Sequence, residues 1–166
     1  MNKDVTMFIM FSKDVNRDWF SFAEESVQQF SEEVITIPFV EEEVHPELRS
    51  AEFPRTKFLS GILNRHIEVG LVASPWYGFI YADEFIPPEL AEAIPTFTAS
   101  EYDFLVFYKR VLDRVQHSDE DISISYGFSP RLFRRHVRLS DELFPVGSLS
   151  STSVLNGFIK EREVRR

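Results

Sequence analysis

The run VTMFIMF, Val5–Phe11, constrains this chain more than any other stretch. It is apolar apart from one threonine, and it does not alternate. A strand with one wet face alternates polar and apolar residues, so an unbroken run reads as a strand covered on both faces. Such a strand belongs inside a parallel sheet with helices on either side. The run is too short to cross a bilayer, no other segment approaches a transmembrane helix, and no small-residue cleavage site follows it.

The residues after it support that reading. SKDVNRD is polar and supplies helix-capping side chains. DWFSFAEESVQQF then sets Trp19, Phe22, Ala23, Val27 and Phe30 at spacings of three and four, an amphipathic helix. EEVITIPFV, 32–40, reads as a second strand, with Pro38 marking an end or an edge. Strand, helix, strand in this order is a βαβ unit with parallel strands. In open α/β sheets ligands sit beyond the carboxyl ends of the strands, so Ser12, Lys13 and Asp14 border a candidate site.

Further along, 41–56 is acidic, contains two prolines and reads as a loop. Lys57–Ala73 reads as a helix, with Phe58, Ile62, Ile67, Val69 and Leu71 available for burial. SPWYG should break it, and FIYADEF should form the next strand and its exit. PPELAEAI opens a short helix with prolines where a missing N–H costs little. Tyr102–Leu112 reads as a strand, HSDEDISISYG as a charged turn leading toward a strand, and PRLFRRHVRL as one more. Asn156-Gly157, between apolar flanks, signals a hairpin. Residues 159–166 read as a charged tail. The expectation is a single α/β domain over 1–166, Rossmann-like, with a mostly parallel central sheet flanked by roughly three helices.

Composition limits the function classes. The 166 residues are 43% hydrophobic and include 17 phenylalanines, enough for one aromatic-rich core. Cysteine is absent, which excludes a disulfide scaffold and a thiolate metal site and is compatible with a cytoplasmic location. The net charge of −9 argues against nucleic-acid binding, which relies on cationic side chains neutralising phosphates. His45, His66, His117 and His136 have no ligand spacing, so no zinc site is expected.

The stretch WYGFIYADEF, Trp76–Phe85, raises the functional question. Two acids, Asp83 and Glu84, stand where a buried strand ends. Carboxylates at a strand exit suit Mg²⁺ or Mn²⁺, which prefer oxygen ligands. Acids just ahead of PPELAEAI also suit the helix dipole, and the residues alone leave both readings open.

The surrounding residues carry a resemblance. Asn64–Ile94 resembles the central segment of family 2 glycosyltransferases with the GT-A fold. That family shows an Arg-Asn pair on a helix, an aromatic-rich strand ending in Asp-Ala-Asp-Glu, and then a PELAE helix. Here the strand ends Tyr81-Ala82-Asp83-Glu84 and the helix reads Pro88-Glu89-Leu90-Ala91-Glu92. Ser129–Gly147 resembles the later RLFRR strand and the acidic element beyond it. The sequence departs from the family pattern in several places: Tyr81 replaces the first motif acid, the pair is reversed as Asn64-Arg65, Asp141 replaces a histidine, and the exit of the second strand offers Glu41–Glu43 without the family's Ser-Thr-Asp run.

The resemblance implies transfer of a sugar from a nucleotide-sugar donor to an acceptor that the residues do not identify. It implies a Mg²⁺ or Mn²⁺ ion at Asp83, supported by Glu84. Ser12, Lys13 and Asp14 would meet the nucleobase or ribose, and Arg65 the diphosphate. Arg134, with Arg131 and Arg135, would face an anionic donor or acceptor. Asp141 and Glu142 would supply the general base, with Asp119–Asp121 as a second candidate. The rival reading is a catalytically weak or inactive homologue that binds a nucleotide-sugar, a partner chain or nothing small. A nucleotidyltransferase would want a glycine-rich loop after the first strand, and SKDVNRD contains no glycine.

Overall fold

In the computed structural model, which describes residues 4–12, 15–39, 52–115 and 122–164, the chain forms a mixed α/β domain. Its elements are β1 (Val5–Ser12), α1 (Arg17–Gln28), β2 (Glu33–Phe39), α2 (Glu52–Glu68), β3 (Trp76–Tyr81) and β4 (Glu84–Phe85). They continue with α3 (Pro88–Thr98), β5 (Phe104–Val115), β6 (Ile122–Arg134) and β7 (Ser151–Val164). One seven-stranded sheet runs in the order β2-β1-β3-β6-β5-β7-β4. The pairings set β1, β2, β3, β5 and β7 in one direction and β6 and β4 in the other, so the central sheet is mostly parallel.

The unalternating run of β1 has the expected cause. Val5, Met7 and Ile9 face a core closed by Ala23 and Val27 of α1 and by Leu90 and Ile94 of α3. Phe8 and Met10 face the opposite core, closed by Leu59, Leu63 and Ile67 of α2. Both faces are dry, so no position in the middle of the strand favours a polar residue. Thr6 is the exception, and its hydroxyl is satisfied by Ser74 at 2.8 Å and Glu33 at 3.2 Å. Helix α1 is capped by Asn16, whose side chain accepts from the backbone of Asp18 and Trp19. Pro38 lies in the edge strand β2, as its missing donor requires.

Several boundaries differ from the sequence reading. Helix α2 starts at Glu52, inside the stretch read as a loop, and Pro54 is tolerated in its first turn. It stops at Glu68, because Gly70 takes φ 78° and turns the chain. Val69 and Leu71 therefore fall outside the helix and are exposed, as is Phe58 within it. SPWYG does not end a helix: Trp76, Tyr77 and Gly78 open β3. Gly78 is needed there, since a Cβ would lie 2.5 Å from the Arg131 carbonyl oxygen.

ISISYG and PRLFR belong to one continuous strand, β6. Asn156-Gly157 is not a hairpin turn, because β7 runs straight through it. There the register with β5 passes from Phe107↔Val154 to Lys109↔Phe158, so β7 carries two extra residues opposite Tyr108. Gly157 is the residue that permits the bulge, for a Cβ on it would meet the Tyr108 carbonyl oxygen at 1.8 Å. The segment read as a charged tail continues β7, paired with β5, to Val164.

Candidate functional site

Strands β1 and β3 are parallel neighbours, with Met10 opposite Tyr81. Both therefore end at the same edge of the sheet, which carries Ser12 from β1 and the turn Ala82-Asp83 from β3. Lys13 and Asp14 lie outside the described residues, as do Asp119–Asp121.

The chain leaving β3 is held at three successive points. The Ala82 N–H donates to the Met10 carbonyl at 3.0 Å. Glu84 is next, and Ile86 follows. Helix α1 grips Ile86 by both backbone groups: Ser26 Oγ accepts its N–H at 3.0 Å, and Gln29 Nε2 donates to its carbonyl at 3.0 Å. Between these anchors Asp83 is half-buried, while Glu84 is only 1% exposed.

Glu84 faces Arg131, itself 4% exposed. The guanidinium donates from Nη1 to Oε1 at 2.6 Å and from Nη2 to Oε2 at 3.0 Å, a bidentate fork. The Tyr81 N–H also donates to Oε1, at 2.8 Å. Arg131 Nε donates to Ser129 Oγ at 2.8 Å. The rings of Phe158, Phe79 and Tyr81 surround the guanidinium, with centroids 4.5, 4.7 and 5.5 Å from its central carbon. Cation–π attraction adds to the pairing, and the rings keep water from it.

A fault in the ladder aims Arg131 at this place. Leu105 pairs with Leu132, but Val106 pairs with Pro130, so Arg131 is an extra residue in β6. Such a bulge redirects a side chain, and Pro130, which lacks an N–H, suits a position where the ladder is already broken. The imperfect alternation of RLFRR has this origin. The sequence reading sent Arg131 outward to a bound anion, whereas the structure turns it inward to Glu84.

The remaining expected residues collect elsewhere. Arg134 pairs with Trp76, the first residue of β3, roughly 16 Å down the strand from Tyr81. Its guanidinium lies over the Trp76 ring and donates to the carbonyls of Tyr102 and Ser100. Helix α2 leads to the start of β3 at the amino edge, and Arg65 lies in its last turn. Arg65, thirteen residues along it, is about 20 Å from its start. With Lys57, Phe58, Gly61 and Ile62 it lines a groove of about 630 Å³.

Asp141 and Glu142 are exposed on the loop that follows β6. The loop is fastened at the amino side: the buried Tyr77 hydroxyl donates to the Val137 carbonyl at 2.6 Å, and Asn64 holds Leu139. Burial raises the Tyr77 pKa above the usual phenol value, against a smaller opposing pull from Arg138, so this donor stays protonated. Leu143 reaches the core from the loop at φ 64°. The fold thus joins Ser12, Asp83 and Glu84 at one edge and leaves Arg65, Arg134, Asp141 and Glu142 toward the other.

Among the described residues, no three acidic or histidine side chains converge as a closed metal cage. No helix among the described residues is long and apolar enough to cross a membrane.

No protein-family model matches the chain, and no curated protein matches it. Among solved structures it is similar to a glycosyltransferase involved in glycosylation of the major capsid of PBCV-1. The identity is 15% and the TM-score 0.40, over 78% of this chain and 60% of that one. It is also similar to a Bacillus anthracis chain assigned, as a candidate, to glucose-1-phosphate thymidylyltransferase and solved with a sucrose. There the identity is 13% and the TM-score 0.40, over 92% of this chain and 69% of that one. The chain therefore spans less than two thirds of the first of these proteins.

Proposed function

We propose that this chain is a nucleotide-sugar-dependent glycosyltransferase that transfers a sugar to an acceptor at the carboxyl edge of its sheet. The observation that carries the reading is the convergence of Ser12 and Asp83 at the shared end of two parallel strands, the place where open α/β sheets take their ligands. The residue pattern from Asn64 to Ile94 supports it. Asp83, half-buried on a fixed turn, is the carboxylate offered to a Mg²⁺ or Mn²⁺ ion. That ion, when bound, would neutralise the departing diphosphate. Ser12 would contact the nucleoside. We leave Arg65, Arg134, Asp141 and Glu142 out of the proposed site, since Arg134 ends β6 opposite Trp76 and Asp141 and Glu142 follow it in the chain.

The second reading is a homologue that binds without catalysis. Two observations favour it: Tyr81 stands at the first motif position, and Glu84 has both carboxylate oxygens on Arg131.

Melting temperature against UDP-, GDP-, CDP- and dTDP-sugars, with and without Mn²⁺, tests the proposal on wild type and Asp83→Asn. Binding to the native state raises the melting temperature by mass action. A metal-dependent rise with one nucleotide, absent in Asp83→Asn, is the expected result. No rise with any donor overturns the donor-binding reading. A rise with no sugar transfer or donor hydrolysis favours the non-catalytic homologue.

A further inference from the structure

We infer that Glu84 and Arg131 form a positioning pair that fixes the Asp83 turn, and that Glu84 is not itself a metal ligand. The inference rests on the proposed reading of Asp83 as the ligand-facing carboxylate. It starts from the two bulges. The extra residue in β6 is Arg131, and the extra residues in β7 immediately precede Phe158, whose ring packs on the Arg131 guanidinium. Both irregularities bear on the same buried side chain, and that side chain grips the residue next to Asp83. Bulges redirect side chains and occur preferentially beside active sites.

The geometry gives Glu84 an orienting task. Its carboxylate accepts from Arg131 through both oxygens and from the Tyr81 N–H. It thereby ties the end of β3 to β4 across the two-residue turn, Ala82-Asp83. With Ala82 bonded to Met10 on one side and Ile86 held by Ser26 and Gln29 on the other, the turn has little freedom left. A metal ion at Glu84 would have to displace a guanidinium in a dry, ring-lined site. Preorganisation of this kind lowers the ordering cost of binding.

The test compares Glu84→Gln, Arg131→Lys, the double variant Glu84→Gln/Arg131→Met and Asp83→Asn, each first confirmed as folded by circular dichroism. Two readouts are taken: amide hydrogen exchange at Tyr81–Ile86 without ligand, and the affinity for Mn²⁺ with each of UDP, GDP, CDP and dTDP. Positioning predicts that the double variant exchanges at the Asp83 and Glu84 amides at least tenfold faster and binds the Mn²⁺-nucleotide at least tenfold more weakly. Arg131→Lys should not rescue either value, since an ammonium cannot form the fork. Asp83→Asn should lose binding while keeping wild-type exchange.

Weaker binding in Glu84→Gln with wild-type exchange would make Glu84 a ligand and overturn the inference. Faster exchange with unchanged affinity would also overturn it. If wild type binds no nucleotide, the proposed function fails separately and exchange alone decides the pair's role: faster exchange in the double variant supports it, unchanged exchange overturns it. Should the double variant not fold, Glu84→Gln and Arg131→Lys carry the same comparison.

Discussion

Asn64 holds Leu139 by both of its backbone groups. Its Nδ2 donates to the Leu139 carbonyl at 2.9 Å, and its Oδ1 accepts the Leu139 N–H at 3.0 Å. One side chain on α2 thus replaces a strand partner for the loop carrying Asp141 and Glu142, and it helps bring Leu139 and Leu143 into the core. Asn64→Ala should cost about 2 kcal/mol, from two lost hydrogen bonds to a largely buried residue. Asn64→Asp should not recover it, because a carboxylate can accept the N–H but faces the carbonyl as a second acceptor. Urea unfolding midpoints at unchanged m-value check both.

Arg131→Met should be more damaging than its lost ring contacts imply. It leaves the Glu84 carboxylate buried without its cation, and breaking one half of a buried pair costs roughly 3–5 kcal/mol. Combining it with Glu84→Gln should recover much of the loss, since the uncompensated charge is gone. A double-mutant cycle by urea unfolding measures the coupling, and strictly additive losses would contradict it.

Two glycines in the strands should respond oppositely to alanine. Gly157 cannot accept a Cβ without moving the Tyr108 backbone, whose carbonyl oxygen would lie at 1.8 Å. Gly157→Ala should cost about 2–3 kcal/mol, as overpacking does. At Gly127, among the described residues, nothing stands within 4 Å of an added Cβ. Gly127→Ala should be neutral or mildly stabilising, since it reduces the freedom of the unfolded chain. Melting temperatures of the two variants test the contrast.

Asp103 makes stability depend on acid. Its carboxylate accepts the Ser150 N–H at 2.9 Å and the Ser150 hydroxyl at 3.1 Å, and His136 Nε2 lies 3.2 Å away. The backbone donor is the largest cause holding its pKa below the ordinary 3.8, with the hydroxyl, His136 and Arg134 adding to it against desolvation. A carboxylate depressed in the folded state contributes fully above its unfolded pKa, and the contribution is lost as pH falls through the folded value. Wild type should therefore exceed Asp103→Asn in stability at pH 7, and the gap should narrow below about pH 4. Urea unfolding at both pH values measures the gap.

The legible parts of this protein are those set by neighbours in sequence. The unbroken apolar run of β1, the spacing of Ala23, Val27 and Phe30, and the edge position of Pro38 were all readable. So was the strand exit that displays Asp83. The doubtful points lay where local signals are ambiguous. A short apolar run before a glycine serves a helix end or a strand start, and Trp76-Tyr77-Gly78 proved to be the start. Asn-Gly between apolar flanks permits a turn or a close approach of two backbones, and the carbonyl of Tyr108, distant in sequence, decided for the second.

The site divides in the same way. The sequence by itself determined that an α/β sheet would form and that acids would stand at the end of one of its inner strands, because periodicity and strand exits are local properties. Only the tertiary structure decided that Arg131 turns inward, that Glu84 is its partner, and that Arg65, Arg134, Asp141 and Glu142 lie away from Asp83. Those outcomes depend on strand order, on one skipped residue in the β5–β6 register, and on α2 leading to the amino edge of the sheet. Pairings between residues far apart in the chain set all three, and no short stretch of sequence contains both partners of such a pairing.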